Sequence, residues 1–152
     1  MLGKSCFFIG HREADERIYP QLLSEVKRHI AECGVTEFIV GHYGGFDRMA
    51  ARAVVEAKKE FPEIRLIMLL PYYSSEINCK LPQGFDETYY PPNMEKVPKR
   101  AAIISANRHI VDNTDFLIAY VWHPASNARD ILEYAEGRRK SGKLKITMIN
   151  GK

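Results

Sequence analysis

"IVGHYGGFDRMAARAV", residues 39–54, changes its period in the middle. It opens as an apolar run that stops at Gly41. Gly44 and Gly45 come just before Phe46 and Asp47. From there Met49, Ala50, Ala53, Val54 and Ala57 recur at the spacing of one helical face. A strand handing over directly to a helix is half of a βαβ unit, so the fold depends on whether the rest of the chain repeats it. So little side chain at the handover means either a tight turn or something that comes close to the backbone.

The pattern repeats in both directions. Upstream, "SCFFIG" is a short apolar run bounded by glycine and reads as a buried strand. "YPQLLSEVKRHIAECG" places Leu22, Leu23, Val26 and Ile30 on one helical face, with Gly34 as the stop. "TEFIVG" is the second strand. Downstream, Pro62 ends the helix of residues 46–61, and "EIRLIMLLP" is a third strand closed by Pro71. Residues 72–97 carry Pro82, Pro91, Pro92 and several tyrosines without clean periodicity, so they read as a long functional or mobile loop. Then "KRAAIISANRHIV" is helical, "DFLIAYVW" a fourth strand, "NARDILEYAEGRRKSG" a fourth helix and "KITMI" a last strand.

Strands alternating with helices predict an α/β fold, a three-layer Rossmann-like sandwich around a mostly parallel five-stranded sheet. Right-handed crossovers favour the strand order 3-2-1-4-5. Ligands of such sheets sit beyond the carboxyl ends of the strands, where the order reverses. Three unusual stretches fall at those ends: "GHR" (Gly10, His11, Arg12), "GHYGGFD", and "WHPASNAR".

The 152 residues suit one domain with a real core. A net charge of +3 is too weak to argue for nucleic acid by itself. Cys6, Cys33 and Cys79 are scattered and have no metal-ligand spacing, which fits free thiols in a reducing cytoplasm, with Cys6 in the core. No apolar run approaches membrane-spanning length, and "MLGKSCFFIG" reads as a first strand rather than a signal peptide.

Glycines ahead of a helix let backbone N–H groups approach an anion, and the helix adds the positive end of its dipole. Gly44 and Gly45 are therefore candidate phosphate-site residues; the alternative is a tight turn alone. The spacing fits neither the dinucleotide fingerprint nor the P-loop, so neither NAD nor ATP hydrolysis follows. Arg12 could pair with a phosphate or carboxylate. His11 is either an acid/base or a hydrogen-bonding loop residue. Asp47 would be repelled by a phosphate, so it either stabilises its helix end or faces a sugar hydroxyl; it is also the best candidate for a catalytic carboxylate. Phe46 and Tyr43 could stack on a base, although Phe46 equally suits the core. Ser126 and Asn127 are good N-cap types that could also donate to a phosphate, with Arg129 adding charge. Asn107 and Arg108 reach the site if a short helix begins near Ser105. They lie too far along if one helix runs from about residue 96. Asp112 and Asn113 read as turn chemistry.

"CFFIGHR", "GHYGGFDRMAA", "FPEIRLIMLLPY" and "NRHIVDNTDFLIAY", in this order along nearly the whole chain, resemble the YpsA-like branch of the SLOG superfamily. These Rossmann-like proteins are related to the LOG phosphoribohydrolases and the DNA-processing protein DprA. The resemblance implies a nucleotide-derived ligand at the strand carboxyl ends. On it, Gly10, His11, Arg12, Gly41, Gly45, Phe46, Asp47, Asn107, Arg108 and Asp112 match the family pattern. It also implies a homo-oligomer, such as a homodimer. The chain departs from LOG enzymes in one respect. Their P-G-G-x-G-T-x-x-E motif has a catalytic glutamate; aligned on "EYA", its position falls near Ile131. The YpsA-like G-G-T-R falls on Ser126, Asn127, Ala128 and Arg129, with only the arginine kept. Asp130 or Glu133 could be recruited by sliding the alignment, but neither has the glycine-rich lead-in.

The leading expectation is a binding or sensor module for a nucleotide or a nucleotide-derived ligand such as ADP-ribose or a nucleoside phosphate. One alternative is a nucleotide hydrolase or phosphoribohydrolase with a non-LOG site. Another is a single-stranded nucleic-acid binder. It would use Lys99, Arg100, Arg108, Arg138, Arg139, Lys140, Lys143 and Lys145, with stacking on Tyr72, Tyr73, Tyr89 and Tyr90. No cofactor is required; magnesium could accompany a diphosphate.

Overall fold

Phe7, Phe8 and Ile9 are consecutive and apolar, and only a strand covered on both faces buries all three. In the computed structural model, which describes residues 4–41, 44–70, 83–123 and 126–149, that strand is β1 (Lys4–Gly10), inside the sheet. The chain continues through α1 (Tyr19–Cys33), β2 (Val35–Val40), α2 (Gly45–Lys58), β3 (Arg65–Leu69) and β4 (Glu87–Tyr89). It then forms α3 (Lys99–Asn113), β5 (Phe116–Tyr120), α4 (Asn127–Lys140) and β6 (Lys145–Met148). Every pairing is parallel, in the order β4-β3-β2-β1-β5-β6. The fold is α/β and Rossmann-like.

Among the described residues the sheet has six strands rather than the expected five. The extra one, β4, falls inside the stretch read as a loop. Three residues are too few to show a period, and the strand is held by polar contacts instead of an apolar face. Asp86, just before it, accepts from the Leu66 amide at 2.7 Å and from the Lys58 ammonium at 2.7 Å. Arg65 pairs with Glu87 across the two strands. The same stretch buries Met94.

The pleat sorts β1 between two layers. Cys6 and Phe8 pack with α1 and α2, through Leu22, Val26, Ala50 and Val54. Phe7 and Ile9 pack with α3 and α4, through Ala106, Ile110, Ile131 and Leu132. The predicted inward residues of α2, from Met49 to Ala57, are all buried. In α1, Leu22 and Val26 are buried as expected, and His29 is buried with them. Gly34 ends α1 with φ of 75°, a conformation that suits glycine. Because α1 and α2 cover one face and α3 and α4 the other, the sheet's order reverses between β1 and β5.

Candidate functional site

At that reversal, beyond the carboxyl ends of the strands, lies a cavity of about 280 Å³. β1 and the loop after it supply Gly10, His11 and Arg12, and Gly41 follows β2. Asp47 enters from the first turn of α2. Helix α3 gives Ile103, Ala106 and Asn107; α4 gives Ser126, Asn127, Ala128 and Ile131. The lining thus combines an apolar wall, one carboxylate, one guanidinium, two carboxamides and a helix start.

Gly44 and Gly45 prove to serve a different contact from a ligand. A Cβ on Gly44 would lie 2.8 Å from the Arg12 Cα, and one on Gly45 would lie 2.7 Å from the Arg12 carbonyl oxygen. The Gly45 amide donates to that carbonyl at 2.6 Å, and the Phe46 amide donates to the His11 carbonyl at 3.3 Å. Two first-turn amides of α2 are therefore satisfied by the neighbouring loop. What comes close to the backbone there is residues 11–12 of the same chain. Neither glycine lines the cavity.

Phe46 is fully buried, stacked on Tyr120 at 5.7 Å between centroids, and so is unavailable to a base. It explains Gly10: a Cβ there would lie 2.2 Å from the Phe46 ring. Gly10 shapes the packing of α2 against β1 and also borders the cavity. Gly41 has a similar relation to the site itself, since a Cβ on it would lie 3.0 Å from an Asp47 carboxylate oxygen. Asp47 therefore lies across the end of β2. Tyr43 lies outside the described residues.

His11 is held as a hydrogen-bond acceptor. Its Nε2 accepts from the backbone amides of Trp122 at 2.8 Å and His123 at 3.0 Å. Amides only donate, so Nε2 is unprotonated and the ring proton sits on Nδ1. Burial lowers its pKa, and the nearby His123 and Arg129 lower it further. Of the two sequence readings, this geometry is that of a residue that fastens the loop after β5 to the end of β1.

Ser126 caps α4. Its hydroxyl accepts from the Arg129 amide at 3.0 Å and donates to the His123 carbonyl at 3.3 Å. The amides of Asn127 and Ala128, which belong to the same first turn, have no acceptor among the described residues. The Arg129 Nε is buried without a hydrogen-bond partner among the described residues, although Arg129 does not line the cavity.

Asn107 and Arg108 separate. Helix α3 is continuous from residue 99, yet Asn107 reaches the cavity because the cavity extends down to Phe7 and Ile9. Arg108 points to α4, with its guanidinium 4.9 Å from the Tyr134 ring centroid. Asp112 is neither in a turn nor near the cavity. It lies in the last turn of α3, accepts from the Tyr134 hydroxyl at 2.8 Å and pairs with Arg138 at 3.5 Å. Sequence reasoning missed the apolar wall of Ile103, Ala106 and Ala128. The signal in the sequence was Ile103, an apolar residue beside the helical row of Ala102, Ala106 and Ile110.

The basic and aromatic residues considered for nucleic acid are partly engaged elsewhere. Arg139 pairs with Glu136 at 2.6 Å. Tyr89 stacks on His109 and is hydrogen-bonded to its Nε2 at 2.9 Å. Tyr72, Tyr73 and Cys79 lie outside the described residues. Among the described residues no group of three or more His, Cys, Asp and Glu side chains is placed to hold a metal ion, and no helix is long and apolar enough to cross a membrane.

No protein-family model matches the chain, and no curated protein matches it.

Proposed function

We propose that this cavity binds a nucleotide or a nucleotide-derived ligand, such as a nucleoside phosphate or ADP-ribose, and that the chain acts as a binding or sensor module of the SLOG type. The observation that carries the reading is the opposition of two chemistries across one cavity. On one side the start of α4 offers amides with no acceptor among the described residues, the Asn127 carboxamide and the positive end of the helix dipole. On the other, Asp47 offers an acceptor suited to ribose hydroxyls, and Ile103, Ala106 and Ile131 of the same lining offer an apolar wall to a base. The phosphate belongs at α4, since the Gly45 and Phe46 amides at α2 are already paired. Arg12, in the same lining, adds positive charge to the cavity.

Binding is favoured over LOG-type hydrolysis by Ile131. The position that the resemblance assigns to the LOG glutamate holds an apolar side chain in the cavity wall, while Asp130 and Glu133 are exposed and do not line it. Among the described residues Asp47 is the lining's single carboxylate.

Thermal unfolding against AMP, ADP, ATP, GTP, NAD, ADP-ribose and a short single-stranded DNA tests the reading. A ligand at a hundred times its Kd should raise the midpoint by roughly 5–10 °C for a chain of this size. Asp47→Asn should weaken the shift while the protein still folds. No shift with any nucleotide, with a salt-sensitive shift on DNA, would overturn the proposal in favour of nucleic-acid binding.

A further inference from the structure

A second cleft, of about 350 Å³, lies at the opposite end of the sheet and belongs to no part of the nucleotide reading. The strand register builds its floor. Phe116, which starts β5, pairs with Cys6 of β1 on one side and Lys145 of β6 on the other. Paired residues share a face, and residues two apart on a strand share it too. Lys4, Phe116, Lys145 and Thr147 therefore all face α1, whose last two turns place Arg28, His29, Glu32 and Cys33 over them.

The charges in this cleft are unevenly matched. Arg28 pairs with Glu25 at 2.8 Å and reaches Thr147 Oγ1 at 3.4 Å. Lys4 lies 5.9 Å from the Phe116 ring centroid. Neither Lys4 nor Lys145 has a carboxylate within ion-pairing distance among the described residues. Glu32 and the carbonyl end of α1 oppose an anion, and Glu25 offsets Arg28, so the two cations without a carboxylate partner, Lys4 and Lys145, are the ones left to an anion.

His29 also lines this cleft, with a fixed tautomer. Its side chain is 1% exposed, and its Nδ1 lies 2.7 Å from the Glu25 carbonyl. A carbonyl only accepts, so Nδ1 carries the proton and Nε2 is a bare acceptor. Burial lowers the ring's pKa, which keeps it neutral. No described residue donates to Nε2.

From this cleft we propose a second ligand site, for a phosphate-type oxyanion that still carries a proton: its P–OH donates to His29 Nε2, and its charged oxygens meet Lys4, Lys145 and Arg28. Inorganic phosphate and the singly protonated form of a phosphate monoester share this chemistry. Sulfate lacks the proton at neutral pH and presents an acceptor to an acceptor.

The test is a titration of the intact chain, followed at the His29 ring nitrogens by NMR, with phosphate and sulfate at matched ionic strength. Phosphate should move the Nε2 resonance saturably, in the millimolar range. Sulfate should bind at least about tenfold more weakly, having lost a charge-assisted hydrogen bond. A Lys4→Gln/Lys145→Gln protein should unfold at the normal temperature and lose the response. Ser126→Ala should keep it, which separates this site from the carboxyl-end cavity. Tighter binding of glycerol phosphate than of phosphate assigns the site to phosphorylated metabolites, and weaker binding assigns it to inorganic phosphate. An absent phosphate response, equal binding of sulfate, or a response that survives loss of both lysines would overturn the proposal.

Discussion

His11 directs one lone pair at two backbone amides, those of Trp122 and His123, and so holds the loop that leads into α4. Protonation at Nε2 would replace that acceptor with a donor facing two donors. Burial lowers the pKa of His11 and likewise of His29, from an ordinary value of 6.5. A depressed folded-state pKa means that the unfolded chain binds more protons just below the ordinary value. The stability these rings contribute is therefore complete above about pH 6.5 and is lost as pH falls from there through the folded-state values. Urea unfolding between pH 7.5 and about 5 should show stability falling with pH, with a flatter profile in His11→Gln, whose amide oxygen replaces Nε2 and does not titrate. An unchanged slope in that variant would mean His11 does not titrate with folding.

The contact between β1 and α2 depends on an absent methyl group. Gly10 lets the Phe46 ring occupy the space where a Cβ would stand, 2.2 Å away, and Phe46 in turn stacks on Tyr120 of β5. The ring is fully buried and cannot swing outwards. Gly10→Ala should therefore cost about 1–3 kcal/mol through overpacking, read from the urea midpoint. Gly137→Ala on α4, where an added Cβ meets nothing within 4 Å, should be neutral or stabilising by up to about 1 kcal/mol. Equal effects from the two would contradict this packing account. Such contacts are hard to read from sequence because they join residues 36 positions apart. The glycine pair before α2 was legible as a close approach, whereas its partner, the Arg12 backbone, was not. The continuous α3 was likewise legible only as one of two options, since Pro98 marks its start without fixing how deep the cavity reaches.

Across the whole molecule, the strand order β3-β2-β1-β5-β6 was legible because alternation and right-handed crossovers leave few choices. β4 was not, because three polar residues at an edge carry no period. The convergence of His11, Arg12, Asp47, Asn107, Ser126 and Asn127 on one cavity follows from that order, since each lies in a βα loop or on a helix flanking the reversal. Phe46 takes the core alternative and Arg108 turns to α4 because helix phase, not strand order, orients them, and Asp112 is helical rather than in a turn because α3 runs on to Asn113. The measurement that tests the account most directly is backbone amide NMR during titration with the nucleotide that most raises the unfolding temperature. The account predicts that the largest shifts fall on Asn127 and Ala128 at the start of α4, with Gly45 and Phe46 little changed. The largest shifts on Gly45 and Phe46, or none at either helix start, would contradict it.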